Sequence, residues 1–221
     1  FNNEYLSPRP TSTSLEIPTQ GVGEWCHPAF KPEINDSVFR AMARDNIFVV
    51  DGIRFITPQT GRNIVYTSLW DNYPASVTVP IKAQKASAAY LLMTGSTNHM
   101  QTHIDNALII ATYSDNTTDT LHLLPPFNWC PIEQDYYVDH MAFETVQKRP
   151  VRIALGTGDV SDDLGVTMRI SPTEVYGREI KGGGAQMLRM PLNSNKKVKT
   201  ITLTTLSNDV VIGIMGITLA K

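Results

Sequence analysis

The sequence has no charge excess, no long apolar run, almost no cysteine and no recognisable catalytic motif, and each absence removes a class of function. Lys plus Arg total 19 and Asp plus Glu total 21 in 221 residues. A net charge of −2 leaves no basic surplus to displace counterions from a phosphate backbone, so nucleic acid is not an expected partner. The same balance offers no electrostatic hold on an anionic membrane surface. No apolar stretch approaches the roughly 20 residues a helix needs to cross a bilayer. The longest, 210–219, is interrupted by Gly213, Gly216 and Thr218. There is no Gly-x-Ser-x-Gly elbow, no His-Glu-x-x-His and no EF-hand loop. The run Tyr176-Gly177-Arg178-Glu179 with Gly182, Gly183 and Gly184 lacks the flanking strand, Lys-Ser/Thr pair and helix of a phosphate cradle, so it reads as flexible loop.

Cys26 and Cys130, each directly after a tryptophan, are the only cysteines. Neither has a partner at metal-ligand spacing. Either they join as a disulfide in an oxidising compartment or they are two buried thiols. Phe1 is not an initiator methionine, so the chain is expected to be a piece of something longer.

What is present is strand grammar. Hydrophobic residues make up 42% and charged residues 18%, as in ordinary folded proteins. Asn46 to Phe55 is apolar around an Asp51-Gly52 turn, and Val77, Val79 and Ile81 alternate with Ser76 and Thr78. Ala88 to Met93 and Leu108 to Tyr113 are apolar on both parities, as strands covered on two faces are. Thr118 to Leu123 alternates again, and Val151 to Leu155 follows Pro150. Lys199 to Leu206, a Ser207-Asn208-Asp209 turn and Val210 to Leu219 read as a closing hairpin. Only Asp36 to Arg44 carries a weak helical signal. The opening stretch holds Pro8, Pro10, Pro18, Pro28 and Pro32, a density that blocks helix and central strand alike. The expectation is an all-β antiparallel sandwich of jelly-roll type over 46–221, preceded by an extended arm over 1–45 that packs on it.

Three passages together carry a resemblance. They are Asn63 to Pro74 (NIVYTSLWDNYP), Ala89 to Asn98 (AYLLMTGSTN) with Asp105-Asn106-Ala107 and Tyr113 to Thr117 after it, and Pro191 to Leu203 (PLNSNKKVKTITL) before the last apolar strand. They resemble the galactose-binding-like jelly-roll domains appended to large bacterial glycoside hydrolases, and more closely the domain-of-unknown-function 4450 family. The Asp115-Asn116 turn departs from the Asp-Gly such domains carry there. The resemblance implies a periplasmic or cell-surface setting in a Gram-negative bacterium and a catalytic domain on the N-terminal side of the same parent chain. With no catalytic constellation in the sequence, the expectation is a non-catalytic accessory domain that supports that catalytic domain, with glycan binding left open. No cofactor is implied, and a structural calcium ion, common in jelly rolls, stays open.

Long loops on a β scaffold are where recognition falls. A sugar site needs an aromatic face for ring C–H groups and planar polar groups for paired hydroxyls. Three loops combine these types: Trp70, Asp71 and Asn72 before Tyr73-Pro74; Asn98 and His99; and Trp129 with Tyr136 and Tyr137. Each has a plainer reading as turn or packing. His99 and His103 lie at i, i+4, which on a helix would point both imidazoles at one metal, with Asp105 close by; polar loop contacts are the competing reading. Glu133 with Asp135 or Asp139 could be a glycosidase pair, which needs carboxyls about 5–5.5 Å or about 6.5–9.5 Å apart. A free-standing carbohydrate-binding module and a glycosidase in its own right are therefore the alternatives to an accessory domain.

Overall fold

A strand that is apolar on both parities needs cover on both faces, and this demand organises the molecule. The computed structural model describes residues 35–57, 59, 64–69, 73–97, 102–130, 149–162, 180, 182–208 and 210–221. A short helix, α1 (Ser37–Met42), leads into the strands β1 (Ile47–Val50), β2 (Ile53–Ile56), β3 (Val65–Ser68), β4 (Ser76–Lys85) and β5 (Ala88–Thr97). These are followed by β6 (Ala107–Tyr113), β7 (Thr118–Leu123), β8 (Val151–Ala154), β9 (Val160–Ser161), β10 (Gly184–Pro191), β11 (Lys197–Thr205) and β12 (Val210–Ala220). A six-stranded sheet runs β3-β12-β5-β10-β8-β9, and a four-stranded sheet runs β4-β11-β6-β7. All the described pairings are antiparallel. The fold is an all-β sandwich.

Between the two sheets lies one core. Leu91 and Met93 of β5, Met190 of β10 and Ile212 and Ile214 of β12 meet Ile109 and Ala111 of β6 and Ile201 and Leu203 of β11. The alternate residues of the same strands, Leu92, Met187, Val211 and Met215, face the other way into a second core. The β1-β2 hairpin and α1 cap that side with Phe48, Val50, Phe55 and Phe39. The hairpin turns at Asp51-Gly52, both with positive φ (46° and 78°), the conformation a two-residue hairpin loop demands. The helix expected near Asp36 to Arg44 is present, and a buried Asp36–Arg40 ion pair of 2.8 Å staples its first turn.

The closing hairpin is corrected. β12 pairs with β3 and β5, whereas β11 pairs with β4 and β6. The chain thus passes from one sheet to the other between Thr205 and Val210. The reason lies in periodicity. β11 turns Val198, Ile201 and Leu203 inward and Thr202 and Thr204 outward, which suits a sheet with one solvent face. β12 is buried from Val210 to Gly216 without alternation, so only the doubly covered sheet can take it. The glycine at 213 allows a close approach: a Cβ there would sit 2.5 Å from the Tyr66 ring and 2.7 Å from Ile64.

Candidate functional site

Strand register brings together the anchors of the three nominated loops. Ser68 ends β3 and pairs with Val211, while Thr97 ends β5 and pairs with Val210. Thr205, at the end of β11, pairs with Ala107 at the start of β6, and Ala107 pairs in turn with Leu123 at the end of β7. The segments that follow β3, β5 and β7 therefore leave from one end of the sandwich. Buried Thr205 donates its hydroxyl to Thr67 across the two sheets at 2.8 Å, tying this end together.

The described floor of that end is polar and well connected. The Asp105 carboxylate meets His122 Nδ1 at 2.8 Å, with both side chains substantially exposed. Anchoring His122 through Nδ1 leaves Nε2 as the ring nitrogen open to another group. Asn128 is a clamp: its Oδ1 accepts from the Leu124 amide, its Nδ2 donates to the His122 carbonyl and its own carbonyl accepts from Gln186 Nε2, each at 2.8 Å. The His103 amide donates to the Pro125 carbonyl at 2.8 Å, and the His103 and Phe127 rings meet edge-on at 5.2 Å. Leu69, Ile104 and Leu206 are exposed at the same end. Charge, imidazole, amide and apolar surface thus adjoin at this end.

Compared with protein-family models and with curated proteins, the chain matches none. The residues must speak for themselves.

Of the nominated site residues, Trp129 alone lies within the described segments. It is fully buried in the core between the sheets, its ring 3.1 Å from where a Cβ on Gly95 would sit. In this arrangement it presents no face to a sugar; it anchors the loop instead, and among the described residues its Nε1 has no hydrogen-bond partner. Trp70, Asp71, Asn72, Asn98, His99, Tyr136 and Tyr137 lie outside the described residues, as do Glu133, Asp135, Asp139 and Cys26. Cys130 is buried. The helical reading of His99 and His103 is not what forms at His103, whose φ of 57° is left-handed. Among the described residues no group of three or more His, Cys, Asp or Glu could hold a metal ion. Sequence reading named Asp105 but missed its partner His122, seventeen residues on. The usable signal was the outward parity of His122 in the alternating strand β7.

At the opposite end, the β6–β7 turn and the segment after β10 are tied by side chains that hold one another. Tyr113 donates its hydroxyl to Asp119 and accepts from the Asn193 amide at 2.7 Å. Burial and then the Asp119 contact push the phenol up to about 12. Asp115 takes Thr117 and Lys196, which hold its carboxyl well below the usual range.

Proposed function

We propose that this domain is a non-catalytic accessory module of a bacterial carbohydrate-active protein, acting at the periplasm or cell surface. It supports a glycoside-hydrolase-like domain of the same parent chain and meets glycan or that neighbour through the loop end. One observation carries the reading. Both faces of the six-stranded sheet are consumed by packing, while the loops richest in aromatic and amide groups are anchored together at one end. The resemblance to galactose-binding-like jelly rolls supplies the setting, and the exposed Leu69, Ile104 and Leu206 suit a surface that another body covers.

The test has two arms on the purified 221-residue chain. Incubated with a panel of polysaccharides, it is expected to release no sugar; turnover that disappears in Glu133→Gln or Asp135→Asn would overturn the non-catalytic reading. Titrated calorimetrically with oligosaccharides, it is expected to bind at about micromolar to millimolar strength, weakened about tenfold by His122→Ala or Trp70→Ala in folded protein. Binding unchanged in both variants would remove the loop end from the proposal.

A further inference from the structure

At the end of the sandwich away from those loops, the turn between β4 and β5 meets the segment after β10 and the end of β12. They enclose an open groove of about 390 Å³ lined by Gln84, Lys85, Ala86, Ser87, Ser194 and Lys221. That volume suits a small ligand of sugar size.

Among the described residues, no side-chain carboxylate offsets the lysines at the groove. In the register of β11 on β4, Lys197 stands directly opposite Lys85, and like charges placed across a ladder repel. Lys85 and Lys221 both line the groove, and Lys197 stands beside it without lining it. The neighbouring lysines show what compensation looks like. Lys196 pairs with Asp115 at 2.9 Å and donates to Thr117, and Lys199 donates to Asn116 Oδ1 at 2.6 Å. Among the described residues, Lys85, Lys197 and Lys221 make no such contact. The nearby carboxylates are committed: Asp115 to Lys196 and Thr117, Asp119 to the Tyr113 hydroxyl and the Asn193 amide. No carboxylate side chain lines the groove.

We propose that this groove is an anion site, which takes a carboxylate or a sulfate or phosphate ester carried on a small molecule. Lys85 and Lys221 would supply charge-assisted hydrogen bonds to the oxyanion, and the Ser194 hydroxyl and Gln84 amide would supply neutral donors. Ser87 is already committed in part, through its amide and hydroxyl to the Ala220 carbonyl, and so shapes the groove more than it binds. The site lies at the other end from the surface invoked above and does not depend on it.

The experiment is an amide NMR titration of the whole chain at constant ionic strength. The probes are sodium sulfate, glucuronate and glucose 6-phosphate, with glucose and sodium chloride as controls. Saturable shifts of the Lys85, Ser87 and Ser194 amides are expected with each oxyanion, at about millimolar dissociation constants, and none with glucose. Lys85→Ala or Lys221→Ala should weaken binding about tenfold, whereas Lys82→Ala, on the same strand but off the lining, should not. Tighter binding of the sugar-borne anions would assign the rest of the groove to a sugar ring; equal binding would assign the site to the oxyanion alone. Shifts that never saturate, glucose binding as well as glucuronate, or full affinity in Lys85→Ala would overturn the proposal.

Discussion

Tyr113 shows how much one side chain can hold. Its ring is buried between the sheets, and its hydroxyl links β7 at Asp119 to the segment after β10 at Asn193. Because the folded phenol is raised from 10.0 to about 12, the folded chain keeps a proton that the unfolded chain releases. Stability from this group is fully present below pH 10 and is lost as pH rises through about 12. Urea unfolding between those limits should show stability falling with pH in the native sequence. Tyr113→Phe should reduce that fall, leaving the share due to buried Tyr66, and an unchanged slope would show that Tyr113 is not among its sources. Residue-scale roles of this kind were only half legible. The aromatic-amide composition of the loops was plain in sequence, yet Trp129 proved a core anchor, because composition cannot say whether a tryptophan ring meets solvent or a glycine such as Gly95. The Asp105–His122 pair was invisible for a related reason: it depends on β6 lying beside β7 and on the loop before β6 folding back.

At the scale of elements, β12 carries the most consequence. It lies between β3 and β5, and Ile214 is fully buried in the core between the sheets. Ile214→Ala should cost about 2–5 kcal/mol on denaturant unfolding. A loss near zero would place β12 at an edge. Single strands were largely readable, since a period of two and a turn residue such as Gly52 act locally. The strand order was not readable, because pairing joins residues such as Ile214 and Met93, more than a hundred positions apart, and no local pattern names the partner. The failed hairpin is instructive here. Alternation in β11 and continuous burial in β12 already implied sheets of different cover, and adjacency in sequence is a weaker guide than that mismatch.

For the whole molecule, the question is whether three layers behave as one cooperative unit. β5, β10 and β12 each send alternate residues into the two cores: Leu91 against Leu92, Met190 against Met187, Ile214 against Met215. Stripping the α1 and hairpin cap would expose Leu92, Val211 and Met215, and it would bare one face of the very strands that support the other core. Neither core can therefore melt while the other keeps its full cover, and a single transition is the expectation for a domain of this build. The methionines report on this directly, because Met93 and Met190 point into the core between the sheets while Met187 and Met215 point into the capped one. Methyl NMR of methionine-labelled chain on heating should show all four native signals disappearing at one temperature. Loss of Met187 and Met215 ahead of Met93 and Met190 would mean that the cap and its core form a separate, weaker unit. The sandwich alone would then be the cooperative body that holds the loop end and the lysine groove in place.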